Sequence, residues 1–281
     1  MATTNELMSI ASQVRRDIIR MVNGSASGHP GGSLSCTDFL TALYFEVMEH
    51  DSKNFTMEAK GQDMFFLSNG HISPLYYSVL AHSGYFPVSE LATFRKLGTR
   101  LQGHPTPAEH LPGIRIASGS LGQGSSVAVG AAIAKKMNHD SKLIWVLTGD
   151  GELQEGQNWE AFMFAGAKKI DNLIITIDYN GKQIDGPTDD VLSLGNLRAK
   201  MEAFNFEVIE TNGNNMAELV ASMKEAKSKT GNGKPIAILM KTEMGCGVDF
   251  MMGTHKWHGT APSDEQMAVA LAQLDETLGD Y

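Results

Sequence analysis

Two short polar motifs lie at the ends of apolar runs, with a spacing that suits the binding of a cation and a phosphate. Asp150 stands in a Gly-Asp-Gly triplet just after the apolar run 143–147, and Asn180 follows the run 173–177. If both runs are parallel strands of one sheet, their carboxyl ends meet at the edge where open α/β sheets bind ligands. One carboxylate and one amide oxygen suit Mg²⁺, which takes its remaining oxygens from a diphosphate and water. The flanking glycines let the backbone approach a phosphate.

The same residues also fit a plainer interpretation. Asp150 between two glycines is typical of a tight turn from strand to helix, with the acid exposed, and Asn180-Gly181 is typical of an ordinary turn. Two such motifs that both stand at predicted strand ends favour the binding interpretation.

A group of histidines stands in segments rich in glycine and proline. These are His29, His71, His104 and His258. Imidazole titrates near neutral pH and can both donate and accept protons, so these side chains are candidates for acid–base work. The remaining motif-free histidines occupy polar or helical contexts, and we interpret them as surface or packing residues. They are His50, His82, His110 and His139.

Apolar runs alternate with helical patterns along the chain. The predicted strands cover 64–67, 143–147, 173–177, 206–209 and 236–240. The predicted helices start after a Thr3/Glu6 capping box and then cover 37–48, 74–82, 125–137, 158–168, 216–227 and 263–278. Segments 27–32 and 98–124 are rich in Gly and Pro, and we expect no regular element there. This pattern predicts an α/β fold with a mostly parallel central sheet and helices on both faces, in one domain over 1–281.

Composition excludes several classes of protein. The chain has 281 residues, 42% of them apolar, and a formal net charge of −9, which disfavours a nucleic-acid surface. No run approaches roughly 18 uninterrupted apolar residues, so we expect no membrane span. Cys36 and Cys246 lie far apart without partner spacing, which suggests a reducing compartment, and we expect a cytoplasmic protein.

The order of these motifs resembles the transketolase family. The Gly-Asp-Gly triplet, followed by a helix, a strand and Asn180, resembles the diphosphate-binding domain of the thiamine diphosphate (ThDP) fold, and LQEG at 153–156 resembles transketolase in particular. The other matching segments are SGHPGG at 27–32, SNGH at 68–71, GHP at 103–105, SGSLGQG at 118–124 and HG at 258–259. The resemblance covers essentially the whole chain and implies ThDP as cofactor.

The resemblance also implies a metal site. By similarity, Asp150 and Asn180 bind the cation through their side chains, and Lys182 binds it through its backbone carbonyl. The cation is Mg²⁺ or another divalent ion such as Ca²⁺ or Mn²⁺. The family more often has an apolar residue in place of Lys182, although a carbonyl ligand depends little on side-chain identity.

The remaining roles follow the same resemblance. The residues implied to contact the diphosphate or the rings of the cofactor are His71, Gly119, Leu121, Gly151, Asn180, Ile184 and His258. The residues implied to take part in catalysis are His29, His104 and His258, which line the sugar channel, and Glu155, which lies at a subunit contact near the partner's catalytic glutamate. Several imidazoles can hydrogen-bond the hydroxyl groups of one sugar.

Chains of this family are more than twice as long and carry a pyrimidine-binding domain and a C-terminal domain that are absent here. The initiator Met, the capped first helix and the helical tail lead us to expect a natural N-terminal subunit rather than a truncated one. Its partner is then a C-terminal transketolase subunit with the pyrimidine-binding domain, in an α2β2 heterotetramer. The implied reaction moves a two-carbon ketol unit between a ketose phosphate and an aldose phosphate, as in the pentose phosphate pathway.

Other functions remain open on the sequence alone. The nearest are a related ThDP enzyme acting on modified sugars, a 1-deoxyxylulose-5-phosphate synthase-like enzyme and the α-subunit of a 2-oxoacid dehydrogenase. A dinucleotide-binding module needs Gly-x-Gly-x-x-Gly after a strand, which Gly122-Gln123-Gly124 does not complete. A non-catalytic regulatory subunit that binds ThDP would be expected to have lost metal ligands or histidines, and none is visibly lost.

Overall fold

The computed structural model of the protein describes residues 2–281. The strands are β1 (Met64–Leu67), β2 (Ile144–Gly149), β3 (Leu173–Tyr179), β4 (Lys182–Gln183), β5 (Gly186–Pro187), β6 (Glu207–Asn212) and β7 (Ile236–Lys241). The α-helices are α1 (Thr4–Gly24), α2 (Pro30–Ser35), α3 (Thr37–Ala42), α4 (Ser73–His82), α5 (Gln123–Met137), α6 (Gly156–Ala167), α7 (Thr188–Leu192), α8 (Leu197–Ala203), α9 (Met216–Lys229) and α10 (Asp264–Leu271).

The centre of the fold is a parallel five-stranded sheet in the order β1-β2-β3-β7-β6. The strands β2 and β3 are neighbours, and Gly149 pairs in register with Asp178. The two residues that directly follow these strands, Asp150 and Asn180, are therefore brought to the same edge of the sheet. Two short strands, β4 and β5, form a separate antiparallel ribbon just after that edge.

Both faces of the sheet are covered by helices. Along β2, Trp145 and Leu147 pack into a core with α1, α3, α4 and α9. Ile144 and Val146 point the opposite way and pack with α5, α6 and α8. This alternation follows from the strand period of two, and it explains why the strands read as continuous apolar runs. The predicted α/β fold with a parallel sheet and helices on both faces is confirmed.

Most predicted elements are present, with shifted ends. The Thr3/Glu6 capping box at the start of α1 is formed as expected. The tail helix is shorter than predicted, because α10 ends at Leu271 instead of continuing to residue 278. The chain beyond it folds back on α1, where Arg16 hydrogen-bonds the carbonyls of Leu271 and Leu274. The sequence period alone could not anticipate this capture by a distant arginine.

The prediction that 27–32 holds no regular element is wrong. Residues Pro30–Ser35 form the buried helix α2, with Pro30 in its first turn, where a missing N–H is tolerated. A Cβ on Gly31 would come within 2.8 Å of both the Met244 side chain and the Trp257 carbonyl. Close packing therefore requires glycine here, and tertiary contacts offset its low helix propensity.

Three further features bear on the expectations about membrane spans, cysteines and dinucleotide binding. Across residues 2–281, no helix is both long and apolar enough to cross a membrane. Cys36 is buried, Cys246 is half-buried, and both are free thiols. The motif Gly122-Gln123-Gly124 opens α5 after an irregular segment rather than after a strand, so it lacks the setting of a dinucleotide-binding turn.

Candidate functional site

A cavity of about 370 Å³ opens at the carboxyl ends of β2 and β3. Asp150 and Asn180 both line it, as the predicted strand pairing requires. The Asp150 carboxylate accepts the backbone N–H of Gly181 at 2.6 Å, so it lies directly against the turn that carries Asn180. Its other oxygen accepts the N–H of Gly151 at 2.7 Å. The sheet thus holds a carboxylate and an amide side by side at one edge.

Asp150 is buried rather than exposed, with 1% of its surface accessible. Burial, together with the charge of Asp178 nearby, raises the pKa of Asp150 to about 7, although two backbone N–H groups lower it. A buried carboxylate of this kind is costly without a compensating positive charge. A divalent cation between Asp150 and Asn180 would supply that charge.

Lys182 lies in β4, two residues after Asn180, and lines the same cavity. Its backbone N–H donates to Asn180 Oδ1 at 2.8 Å. Its side-chain Nζ is directed to Glu243 Oε1 at 3.1 Å, so the ammonium group is held by an acid. The backbone of Lys182 is thus placed next to the Asn180 amide, where its carbonyl is the candidate third oxygen ligand.

The four histidines of the Gly- and Pro-rich segments converge in the cavity. The ring centroids of His29 and His71 are 5.1 Å apart, and those of His71 and His258 are 5.0 Å apart. His29 also lies 5.6 Å from His258 and 6.3 Å from His104. Segments that are distant in the sequence therefore build one imidazole cluster.

Burial keeps this cluster neutral. It lowers the pKa of His29 to about 4, with further lowering from His258, Arg95 and His104. Burial is likewise the main cause of the lowered pKa values of His71, His104 and His258. At neutral pH each ring therefore has one nitrogen that donates and one that accepts a hydrogen bond.

One wall of the cavity is the loop that carries Gly119 and Leu121, and we call this loop the shelf. Gly119 has a φ of +123°, and a Cβ there would lie 2.8 Å from the His104 ring. Glycine is therefore needed for both the backbone conformation and the space. Ile184 is 61% exposed and lines the cavity as an apolar wall. Glu155, just before α6, lines it as an exposed acid.

The structure brings every predicted site residue into this one cavity. They are His29, His71, His104, Gly119, Leu121, Asp150, Gly151, Glu155, Asn180, Lys182, Ile184 and His258. Further lining residues had no predicted role, and they include Asn69, Glu152, Asp178, Gln183 and Met244. The sequence carried a signal for two of these residues. Asp178 is an acid in an apolar strand, and Glu152 directly follows the Gly-Asp-Gly triplet. An acid at such a position is expected to have a polar partner.

Glu152 ties the shelf to the sheet. Its buried carboxylate accepts the backbone N–H of Gly122 at 2.8 Å and that of Gly149 at 3.1 Å, and the hydroxyl of Ser68. One side chain therefore joins the ends of β1 and β2 to the loop that carries Gly119 and Leu121. The shelf is held in place by hydrogen bonds as well as by packing.

The residues of the cavity fit a bound diphosphate cofactor and its cation. Several buried polar atoms that line it find no hydrogen-bond partner within the chain, and they are His29 Nδ1, Asn69 Oδ1, Gln183 Oε1 and His258 Nδ1. Buried polar groups are normally paired, so these atoms are available to a polar ligand. Residues 2–281 contain no cluster of three or more His, Cys, Asp or Glu side chains arranged for a metal.

Comparison with known proteins gives the family. Residues 7–277 match the family described as "Transketolase, thiamine diphosphate binding domain". The chain belongs to the transketolase family. The predicted relationship is thus confirmed, and the matched family model is that of a thiamine diphosphate binding domain.

Individual relatives agree with this assignment. The chain is 39% identical to one of the subunits of the apulose-4-phosphate transketolase of Actinobacillus succinogenes, over 97% of each chain. It is also 39% identical to a 6-deoxy-6-sulfo-D-fructose transketolase subunit of a Clostridium species, covering 96% of this chain and 97% of that protein. The transketolase structure from Leishmania mexicana superimposes with a TM-score of 0.88 at 32% identity, over 98% of this chain but only 41% of that one.

Proposed function

We propose that this protein is the diphosphate-binding subunit of a two-chain, ThDP-dependent ketol transferase. It would move a two-carbon ketol unit from a ketose phosphate to an aldose phosphate, and it would be active only with a second chain that carries the pyrimidine-binding domain. The observation that carries the proposal is the convergence of all predicted site residues in one cavity at the carboxyl edge of the sheet. A purely regulatory subunit would have no need to retain this full set.

The metal and cofactor roles rest on the atoms that the cavity presents. Asp150, Asn180 and the carbonyl of Lys182 would hold a divalent cation, with Mg²⁺ the best match to such a small set of oxygen ligands. His71, His258 and Gly151 would contact the diphosphate, and the shelf would support the rings. When bound, ThDP supplies the carbanion chemistry of ketol transfer, so the chain's own work is binding, orientation and proton handling.

Neutral histidines suit the handling of a sugar. The unpartnered Nδ1 atoms of His29 and His258 can each exchange a hydrogen bond with a substrate hydroxyl group. Because the pKa of His29 lies at about 4, its ring can accept a proton from a hydroxyl only transiently and must return it. His104 stands at the exposed end of the cluster and would contact the sugar first.

A partner chain is supported by the chain's coverage of its relatives and by its surface. The chain spans 97% of the Actinobacillus relative, whose name marks it as one subunit of its enzyme, but 41% of a full-length transketolase. Apolar side chains stay exposed on α5 and α6, which begin next to the cavity residues Leu121 and Glu155. Three of them are Val127, Met163 and Phe164, with 43%, 58% and 44% of their surfaces accessible, and Met137 is exposed at the far end of α5. Phe164 also lines a groove between α5 and α6 together with Val129 and Ile133, and a contiguous apolar surface of this kind marks an interaction surface. We propose that this surface contacts the partner chain in an α2β2 assembly. The cytoplasmic location stays a prediction.

The test is turnover by the reconstituted pair. The chain is produced alone and together with a chain carrying a pyrimidine-binding domain, and both samples are assayed with xylulose 5-phosphate and ribose 5-phosphate. We expect ketol transfer from the pair and none from the single chain. Comparable transfer by the single chain would contradict the proposal.

The second candidate function is ketol transfer from a modified sugar. Two relatives of 39% identity carry names that specify apulose 4-phosphate and 6-deoxy-6-sulfo-D-fructose. The same reconstituted pair is therefore assayed with these two donors. Turnover with one of them, and none with xylulose 5-phosphate, would favour a side pathway over the pentose phosphate pathway.

A further inference from the structure

Asp178 is a buried carboxylate beside the proposed cation ligands. It lies near the end of β3, two residues before Asn180, and is 2% exposed. We propose that Asp178 is a positioning residue, whose carboxylate fixes the Asn180 amide so that the oxygen and not the nitrogen faces the cation. The inference rests on the proposed function, because it concerns the same cation site.

The orientation of an asparagine amide decides whether it can bind a cation. The two ends of the group have nearly the same shape, but only the oxygen has lone pairs to offer a metal. Asn180 Nδ2 donates to Asp178 Oδ2 at 2.8 Å, and Asn180 Oδ1 accepts the backbone N–H of Lys182 at 2.8 Å. A flipped amide would place its oxygen against a carboxylate and its nitrogen against an N–H, so both contacts would become repulsive.

Asp178 is itself held firmly. Its Oδ1 atom accepts the hydroxyl of Ser35 in α2 at 2.7 Å and the hydroxyl of Thr242, which follows β7. These contacts leave Oδ2 directed to Asn180. Since the carboxylate is engaged on both oxygens, it acts through Asn180 rather than as a ligand of its own. Outer residues that orient metal ligands in this way commonly contribute 10–100-fold to metal affinity.

The same carboxylate links the cation site to the histidine cluster. Ser35 is the last residue of α2, and His29 is the residue that precedes the first turn of that helix. A change in the position of Asp178 would therefore affect both the Asn180 amide and α2, the helix that His29 precedes. A test must separate this packing effect from the orientation of the amide.

The experiment measures how Mg²⁺ supports ThDP binding in the complex with the partner chain. Thermal unfolding is followed at saturating ThDP, and the Mg²⁺ concentration that gives half of the maximal stabilisation is determined. For Asp178→Ala we expect this concentration to rise roughly 10–100-fold. For Asp178→Asn we expect a value close to wild type, because its amide oxygen can still accept from Asn180 while the Ser35 and Thr242 hydroxyls accept its N–H.

Ser35→Ala is the matched control. It removes one of the two hydrogen bonds to the other oxygen of the same carboxylate, while the Thr242 hydroxyl still holds that oxygen, so we expect a lower melting temperature but a wild-type Mg²⁺ requirement. If the alanine variant at 178 fails to fold, Asp178→Ser takes its place, since its hydroxyl is too short to reach the amide.

Three results would overturn the inference. The first is an unchanged Mg²⁺ requirement in Asp178→Ala. The second is a Mg²⁺ requirement in Asp178→Asn that rises as much as in Asp178→Ala, which would indicate an effect of charge. The third is an equal rise in Ser35→Ala, which would indicate an effect of packing. Wild-type protein that gains no stability from ThDP and Mg²⁺ would overturn the proposed function itself, and this inference with it.

Discussion

At the scale of single residues, the site is built from polar groups that the fold buries before any ligand arrives. Asp150 and Asp178 stand at the ends of adjacent parallel strands, and burial raises the pKa of each. The convergence of Asp150 and Asn180 was predictable, because neighbouring parallel strands end at the same edge. The partners of Glu152 and Asp178 were not, because Ser68, Ser35 and Thr242 come from segments that only the tertiary fold brings together.

The histidine cluster predicts a loss of stability in acid. The pKa of His29 is about 4 in the folded chain, against about 6.5 when unfolded, so the unfolded chain binds the proton more tightly between these values. The free energy of unfolding should therefore fall as the pH drops from 7 to 5. We expect wild type to lose about 1 kcal/mol more than His29→Asn over this range, after allowing for solvent screening. Urea unfolding at pH 7 and pH 5 measures the free energy of unfolding of both proteins. Equal decreases in wild type and His29→Asn would contradict the lowered pKa of His29.

At the scale of elements, local pattern and tertiary packing differ in what they allow to be predicted. The strands of the main sheet and α1 were predicted because apolar periodicity and a capping box are local signals. The helix α2 was missed, because Gly31 and Gly32 have low helix propensity and only close contacts with distant side chains explain them. The end of α10 was misplaced for a related reason, since Arg16 of α1 captures the chain that follows.

The packing of α2 predicts opposite effects of alanine at two helical glycines. Gly31→Ala should lower the free energy of unfolding by about 1–3 kcal/mol, because its Cβ would overlap the Trp257 carbonyl, which cannot move aside easily. Gly130→Ala, in α5, has nothing within 4 Å of the new Cβ and should raise it by about 0.5–1 kcal/mol. Chemical denaturation of both variants checks this, and a loss of similar size at both positions would contradict the packing argument.

The exposed apolar residues of α6 make a separate prediction about assembly. A charge at this surface would be desolvated if a partner covers it, so Met163→Glu should weaken association by at least an order of magnitude. The folded subunit should keep its melting temperature, because Met163 is 58% exposed. Met137→Glu, in α5, is the control, since Met137 is 74% exposed but lies at the far end of its helix from the cavity. Sedimentation of the mixed chains measures association, and equal affinities for both variants would place the partner elsewhere.

At the scale of the whole molecule, the proposed function makes this chain one side of a binding site that two chains form. The cavity is lined by carboxylate and amide oxygens, neutral imidazoles and the shelf. The formal net charge of −9 means that the chain as a whole does not favour the binding of anionic sugar phosphates. The motifs of the sequence were sufficient to predict the family and many, though not all, of the residues that line the cavity. They do not distinguish one sugar substrate from another, because neutral imidazoles can hydrogen-bond the hydroxyl groups of any sugar.

The central claim is that this chain supplies the cation and diphosphate side of a ThDP site that a partner completes. Equilibrium binding of ThDP, measured by titration calorimetry with Mg²⁺ or with EDTA, tests it on the chain alone, on the partner alone and on their mixture. We expect tight binding only in the mixture and only with Mg²⁺, and we expect Asp150→Ala to abolish it. Equally tight binding by the chain alone, or binding in the mixture that persists in EDTA or in Asp150→Ala, would contradict the account.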